Sequence, residues 1–469
     1  MAFSAYFPAI PPPPRPDLHP LPGTTPLTPL AALAPPLIYY FALLLLPPFL
    51  SVSKDSNLSP RLVQHTIPVI RNLLALTSGI LFFRLPLAYH VPFSFGLTYQ
   101  LALVGLYGGC RVLDAFFISP CLFGHIPRRV KYHHVPRART PGPARGADAE
   151  SYFSLHFLNT GGEAVTETAT TDEGWPHGWL DRMSWALELE LSMRGAGFTW
   201  TSADVRHTRS TWRPSIRDRT HSILVHVAPV LLISWAIIRD VYVLRLSHGE
   251  VFDDLPYLLQ AVLTVALGAF LMSAFSFGHS AFAIMLAPLK PHPLSYFPPL
   301  YTARVWDLKS VRDFWSYGWH RLFSRLFLVY GVWPGEWLER KLAGRAPNEA
   351  ADVGKVLGGF VSSAFVHSFA AHTIMGGWDG AFGEAWFFAG NGLAVVIEEG
   401  VKMVILRHRK SQKKQRERKV GEEDDGKSLE RWYDGVVGRV WWICVLLYTG
   451  RNFARGWVRA GLVREMAGL

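Results

Sequence analysis

The apolar residues of this chain collect into stretches of about 20, separated by segments rich in charge or proline. A stretch of that length crosses the hydrocarbon core of a bilayer as a helix. The pattern therefore predicts an all-α, polytopic integral membrane protein with about eight transmembrane helices. The expected spans are approximately 30–50, 66–86, 94–118, 222–244, 255–287, 353–375, 383–406 and 436–458.

One segment, from Asp307 to Tyr330, breaks this pattern because charged and aromatic residues alternate along it. It is too polar for an ordinary span. Irregular backbone at membrane depth is tolerated only where protein or water satisfies its polar groups. The sequence therefore predicts a re-entrant or interfacial segment at the cytosolic face.

The charges of the loops predict the orientation of the chain, because Lys and Arg mark cytosolic loops. Segments 125–145, 302–345 and 407–431 are rich in both residues and follow the third, fifth and seventh spans. The intervening loops, Ala88–Pro92, Ser247–Asp254 and Gly376–Glu384, contain neither. This alternation places the N-terminus in the lumen and the loop that contains His320 in the cytosol. The basic tract 407–419 is expected to be a solvated loop.

The spans also suggest three regions: an N-terminal membrane region (1–122), a cytosolic loop (123–220) and a C-terminal membrane region (221–469). Within the loop, residues 140–174 are rich in Gly, Ala, Thr and acidic residues, so they are expected to be flexible. Residues 175–202 combine several Trp with Leu and are expected to lie along the membrane surface.

Composition supports a membrane protein and narrows the partners. The chain has 469 residues, 49% hydrophobic, with 17 Trp and a net charge of +11. That charge favours anionic partners such as lipid head groups or phosphorylated cofactors, and its position between spans argues against nucleic acid. The three cysteines have no metal-ligand or redox spacing, so neither a disulfide framework nor a metal site is predicted. The proline-rich N-terminus lacks the features of a cleavable signal, so the first span is expected to be an uncleaved anchor.

Two histidines are the candidate catalytic residues. His367 lies in an apolar run of small residues, and an ionisable side chain at membrane depth is costly enough to suggest a function. Gly359, Ser363 and His367 share one helical face, which either permits close helix packing or leaves a substrate channel. The alternative is a structural histidine bonded to a neighbouring helix. As a functional residue, His367 could act as a general base near neutral pH.

His320 ends a string of aromatic and polar residues in the predicted re-entrant segment. An amphipathic interfacial helix would explain the Trp and Arg residues of this string, but not the histidine. Arginines can bind the phosphates of a nucleotide-containing molecule such as coenzyme A. The candidate residues for this binding are Arg312, Trp315, Trp319, Arg321 and Arg325.

Three strings resemble the wax-synthase-like branch of the membrane-bound O-acyltransferases. The string 311–320 resembles the family's "RDFW…WH" signature, and 359–367 resembles the "F-V-S-G-x-x-H" stretch that bears its catalytic histidine. The string 191–200 resembles the "R-G-x-G-W-x-W" stretch of fungal members. Ser363 stands where the family often has Gly, and Phe198 replaces the usual Trp. The resemblance covers roughly residues 180–460.

The resemblance implies an acyl-CoA-dependent O-acyltransferase whose catalytic membrane domain is 221–469. It implies His367 as the general base and His320 as the residue that orients the thioester or assists the leaving thiolate. Acyl-CoA, with acetyl-CoA favoured, would be a co-substrate, and no bound cofactor is expected. The acceptor would be a lipophilic alcohol such as a fungal terpenoid or meroterpenoid, and the location the endoplasmic reticulum membrane.

Other functions fit part of this pattern. A long-chain-alcohol wax ester synthase or a sterol acyltransferase would use the same chemistry on another alcohol. A proton-coupled transporter could use His367 and His279 as a relay, with Glu398, Glu399 and Lys402 as coupling charges. No inverted repeat of broken helices supports a transporter, and a helical ion pair explains Glu398 and Lys402. An inactive or purely structural relative is a further alternative.

Overall fold

The computed structural model describes residues 22–48, 62–135, 167–172, 174–200, 215–286, 297, 300–301, 305–347, 349–420 and 431–468. Its main helices are α1 (Pro29–Leu44), α2 (Ile67–Ala88), α3 (Phe95–Leu113), α4 (Gly178–Leu191), α5 (Ala228–Leu244), α6 (Tyr257–Leu286), α7 (Trp333–Ala343), α8 (Asp352–Met375), α9 (Trp378–Val420), α10 (Trp432–Arg459) and α11 (Leu462–Met466). Two strand pairs accompany them: β1 (Thr25–Pro26) pairs parallel with β2 (Tyr89–His90), and β3 (Val130–Val135) pairs antiparallel with β4 (Glu167–Asp172).

Helices occupy all eight predicted span positions, and the predicted all-α polytopic architecture is confirmed. Among the described residues, five helices are long and apolar enough to cross a membrane: Gln64–Ala88, Phe95–Leu122, Ile216–His248, Tyr257–Leu286 and Asp352–Met375. Only 17% of the apolar window of Ile216–His248 is buried inside the protein. Apolar side chains left outside to that extent require lipid rather than water around them.

Three local predictions are wrong. The tract 407–419 is not a loop, because α9 continues through it to Val420. Its Lys, Arg, Gln and Glu residues are good helix formers, so the helix extends beyond its apolar part. Glu384 does not belong to a loop either: it is the seventh residue of α9 and is only 1% exposed. Part of the segment expected to be flexible forms β4, while 140–166 lies outside the described residues.

The largest buried core lies where α3, α5, α6, α8, α9 and α10 meet. Helix α8 packs along α9 on one side and contacts α3 and α7 on others. Helix α3 begins at Ser94, whose hydroxyl accepts a hydrogen bond from the Leu97 backbone N–H at 3.0 Å. The Ser94 hydroxyl donates to Glu465 of α11, so the last described helix contacts the start of α3.

A second core joins the N-terminal helices to α4. Trp185 and Phe198 are fully buried there, beside Tyr39 and Phe116. The opposite face of α4 is exposed and apolar, with Trp179, Leu180, Met183 and Leu187 on it. This arrangement fits the predicted surface position of 175–202, because one face packs on protein while the other is left for lipid.

The segment from Val305 to Val332 is a series of short helical pieces rather than one helix. The pieces are Val305–Asp307, Val311–Asp313, Phe314–Gly318, Ser324–Phe327 and Leu328–Val332, and α7 follows. The segment packs against α8 through glycines, so that backbone touches backbone. A Cβ built on Gly358 would lie 2.8 Å from the carbonyl carbon of Gly331 and 3.2 Å from the Cα of Gly335.

Close packing was one of two alternatives for the face of Gly359, Ser363 and His367, but the glycines that pack closely on α8 lie one residue away from that face. Gly354 and Gly358 make the backbone contacts, whereas a Cβ on Gly359 would meet only Val332 Cγ2 at an ordinary 3.5 Å. His367, two turns along α8 from Gly359, contacts Phe388 of α9 and Tyr99 of α3.

Candidate active site

His367 lies in the middle of α8, and its side chain is 13% exposed. Its ring stacks on Phe388 of α9, with centroids 4.4 Å apart and an interplanar angle of 19°. Its Nδ1 atom lies 3.0 Å from the hydroxyl oxygen of Tyr99 on α3. One ring nitrogen is therefore in a hydrogen bond and one ring face is fixed by packing.

A carboxylate that sequence reasoning missed stands behind this histidine. Glu384 Oε2 accepts a hydrogen bond from the Tyr99 hydroxyl at 2.8 Å, and Oε1 accepts one from Trp457 Nε1 at 2.8 Å. The distance from His367 Nδ1 to Glu384 Oε2 is 4.0 Å. The signal that could have found Glu384 is an acidic residue immediately before the apolar run of the seventh span. Tyr99 and Trp457 give no such signal.

An aromatic array joins the two candidate catalytic histidines. Phe388 contacts Trp315 with centroids 5.6 Å apart, Trp315 contacts Trp319 at 5.9 Å, and Trp319 contacts His320 at 5.2 Å. These ring contacts link the two imidazoles through Phe388, Trp315 and Trp319. The structure thus brings together two motifs that lie 47 positions apart in the sequence.

His320 lies outside the five apolar spans, in the loop after Phe314–Gly318. Phe275 and Phe323 contact its ring edge-on, at 5.0 Å and 6.3 Å. Burial lowers the pKa of His320 to about 4, and the positive charge of Arg194 acts in the same direction. Among the described residues, its Nδ1 atom is buried and has no hydrogen-bond partner. A buried polar atom in that state indicates a place where a substrate atom can bind.

Two acids on α9, of which Glu398 is buried, anchor the start of the His320 motif. The Val311 backbone N–H donates to Glu398 Oε2 at 2.8 Å, and Arg312 pairs with Glu399 at 2.9 Å. Lys402 completes the group, 2.7 Å from Glu398 Oε1. These contacts give Glu398, Glu399 and Lys402 a structural role. The three charges therefore do not require the ion-coupling role that the transporter alternative assigned to them.

The five residues predicted to bind the donor have varied surroundings. Trp315 Nε1 donates to Asn391 Oδ1 at 3.0 Å, and Trp319 packs on His320. Arg321 is half-buried in the adjoining loop. Arg325 pairs with Asp114 at 2.8 Å, and Arg312 with Glu399 as described above. Their role in binding acyl-CoA stays a prediction.

The glycine-containing string 194–200 forms a tight loop beside Arg325. Gly195 and Gly197 have φ of +69° and +87°, a backbone conformation that residues other than glycine rarely adopt. Phe198 is fully buried and contacts Trp185 edge-on. The Arg325 guanidinium lies over the ring of Trp200, at 5.1 Å from its centroid. The loop therefore packs against the segment that leads from His320 to α8.

Comparison with known proteins adds one finding. Residues 297–390 match the model of the membrane bound O-acyl transferase family, about a fifth of the chain. The match supports the membrane-bound O-acyltransferase superfamily. The matched segment contains His320, His367 and Glu384, but neither Tyr99 nor Trp457. No curated protein and no solved structure matches the chain.

The match and the apolar helices together indicate an integral membrane O-acyltransferase. Such an enzyme needs an acyl donor and an alcohol or lipid acceptor. Among the described residues, no group of three or more His, Cys, Asp or Glu side chains could hold a metal ion. Separately, the two histidines lie in an aromatic, apolar enclosure, and an imidazole can take and return a proton near neutral pH.

Proposed function

We propose that this protein is an acyl-CoA-dependent O-acyltransferase of the wax-synthase-like branch, which transfers an acetyl group to a hydroxyl of a lipophilic alcohol of the terpenoid or meroterpenoid class. The observation that carries the proposal is the convergence of His367 and His320 on one aromatic-walled site, both within the segment that matches the family. The endoplasmic reticulum is the proposed location.

In the proposed mechanism, His367 Nε2 takes the proton of the acceptor hydroxyl as the hydroxyl oxygen attacks the thioester carbon. The new C–O bond forms, the C–S bond breaks, and the CoA thiolate leaves. The proton held by His367 returns to that thiolate. Transfer is direct, so no acyl-enzyme intermediate is required.

His320 is proposed to bind the thioester carbonyl. Its ring is neutral at pH 7 because its pKa is about 4, so one nitrogen carries a proton and can donate a hydrogen bond. The candidate donor is the buried Nδ1 atom, which has no hydrogen-bond partner among the residues that the structure describes. A hydrogen bond from this atom would stabilise the negative charge that develops on the carbonyl oxygen during attack.

The experiment measures ester formation by microsomes that express the chain, with radiolabelled acetyl-CoA or palmitoyl-CoA and a panel of hydroxylated terpenoids and fatty alcohols. An ester formed from acetyl-CoA and a terpenoid supports the proposal. Clear preference for palmitoyl-CoA and a fatty alcohol would instead identify a wax ester synthase. Movement of substrate in proteoliposomes without acyl-CoA consumption would replace the enzyme by a transporter.

The matched variants are His367→Ala and His372→Ala, which lie on the same helix. His372 stacks on Trp378 of α9, with centroids 4.4 Å apart. Loss of a general base lowers turnover by about 10²- to 10⁴-fold, whereas loss of a packing histidine leaves kcat near the wild-type value. Wild-type turnover by His367→Ala, in membranes where both variants insert equally, would remove His367 from the mechanism.

A further inference from the structure

Tyr99 and Glu384 form a buried polar connection to His367 that the proposed mechanism does not use. Tyr99 is 6% exposed and Glu384 is 1% exposed, within the largest core of the protein. The residues come from three different helices: α3 supplies Tyr99, α9 supplies Glu384 and α8 supplies His367. Placing a carboxylate there is costly unless hydrogen bonds satisfy its oxygens, as those from Tyr99 and Trp457 do.

We propose that Tyr99 and Glu384 are positioning residues that hold His367 in the one tautomer whose Nε2 atom is basic. This inference rests on the proposed function, because it assigns the way in which the general base of that reaction is prepared. Neither residue needs to touch substrate, since both act through the Nδ1 side of the ring.

The hydrogen-bond polarity follows from counting protons. With Glu384 ionised, the single hydroxyl proton of Tyr99 goes to the carboxylate. The Tyr99 oxygen is then free to accept a hydrogen bond, and Nδ1 of His367 must supply it. The neutral imidazole has only one N–H group, so Nε2 is left with a lone pair. This atom can take the proton of the acceptor hydroxyl.

Glu384 has a second effect during turnover. When His367 accepts the proton, its ring becomes positively charged in an apolar enclosure. The Glu384 carboxylate is 4.0 Å from Nδ1 and compensates that charge. An acid that holds a catalytic histidine in its tautomer and stabilises the imidazolium has the same role in hydrolytic triads; here a tyrosine hydroxyl stands between the two.

Trp457 fixes the orientation of the Glu384 carboxylate. Its indole N–H can only donate, and it occupies Glu384 Oε1. Its ring also packs edge-on against Tyr99, with centroids 5.7 Å apart. The side chain of Glu384 is therefore held so that Oε2 faces the Tyr99 hydroxyl.

The first test is Tyr99→Phe, which removes the hydroxyl and keeps the ring packed on Trp457. We expect kcat to fall roughly 10- to 100-fold with KM for both substrates within about twofold, because binding is unchanged and only proton transfer suffers. The matched control is Tyr330→Phe. Tyr330 donates its hydroxyl to the Cys110 carbonyl of the same helix α3 at 2.7 Å, so this change also removes one hydrogen bond but leaves the histidine alone.

The second test is Glu384→Gln, which reverses the donor–acceptor direction of the hydrogen bonds between residue 384, Tyr99 and His367 with little change in side-chain volume. Because Trp457 donates, the amide oxygen must face it, and the amide N–H then faces Tyr99. The Tyr99 hydroxyl is driven to donate to Nδ1, which forces the proton onto Nε2 and disables the base. We expect a fall in kcat at least as large as that of Tyr99→Phe, and no further fall in the double variant, because both changes remove one function.

The outcomes separate the two levels of the proposal. No ester from the wild-type chain would overturn the proposed function itself. Ester formation that His367→Ala abolishes, while folded Tyr99→Phe and Glu384→Gln keep wild-type kcat, would overturn only the positioning role. A fall in kcat that Tyr330→Phe shares equally, or multiplicative losses in the double variant, would also overturn it, because either result points to general destabilisation.

Discussion

The backbone contact between Gly358 and the segment before α7 gives a quantitative prediction. A methyl group at Gly358 would lie 2.8 Å from the carbonyl carbon of Gly331 and closer still to its oxygen. An ordinary carbon contact begins at 3.4 Å, so Gly358→Ala must separate the two segments by at least about 0.6 Å. The atoms in the way belong to backbone, which cannot rotate aside.

The expected cost is a balance of two effects. Overpacking of this kind costs about 1–3 kcal/mol. Replacing Gly by Ala within a helix offsets about 1 kcal/mol of that cost. We therefore expect Gly358→Ala to destabilise the protein by up to about 2 kcal/mol. Because α8 carries His367 and the displaced segment follows His320, kcat is expected to fall about three- to tenfold.

Gly359→Ala is the matched control, one residue along the same helix. Its new methyl would contact Val332 Cγ2 at 3.5 Å, an ordinary distance. Only the stabilisation from replacing Gly by Ala within a helix then remains. The assay measures the unfolding midpoint in detergent and kcat for both variants. Equal stability and activity of the two variants would show that the contact between α8 and the preceding segment does not depend on glycine at position 358.

Two further predictions concern charge. Asp114→Asn leaves the Arg325 guanidinium without its buried carboxylate partner and is expected to destabilise the protein by about 3 kcal/mol in the detergent unfolding assay. The control Glu339→Gln breaks the more exposed pair with Arg345 and is expected to cost about 1 kcal/mol or less. Comparable losses in the two variants would contradict this reasoning. Since the pKa of His320 is about 4, only the unfolded chain takes up its proton between pH 6.5 and pH 4, so stability should fall as pH falls through that range. The unfolding midpoint of His320→Gln should change less between pH 7 and pH 5 than that of the wild type, and an unchanged pH dependence would argue against a buried neutral imidazole.

The sequence predicted the helices well and their mutual contacts poorly. All eight span positions contain helices because a long apolar run is a local signal that needs no partner. The end of α9 was missed for the same reason, since its basic half is helical without being apolar. For the small residues of α8 the sequence left close packing and a channel as alternatives, because the face that packs depends on the position of the neighbouring segments, which the sequence does not contain.

In the candidate site too, the residues with a local signal could be predicted and those defined by tertiary contacts could not. His367 and His320 could be selected because a histidine is unusual in its surroundings, while Tyr99 is an ordinary residue of an apolar span. It reaches His367 across 268 positions. Trp457 and Glu384 are 73 positions apart, so their contact too had no local signal. Residues that prepare a catalytic group belong to the tertiary structure rather than to a motif.

The placement of Tyr99 and Trp457 outside residues 297–390 has a consequence for protein engineering. A chimera that exchanges only this segment between related enzymes would transfer both histidines and Glu384, and leave the two hydrogen-bond donors of Glu384 to the host. The exchange should succeed where the host has a hydroxyl and an indole at the positions of Tyr99 and Trp457. In relatives of this protein, the residues at positions 99, 384 and 457 are therefore expected to change together.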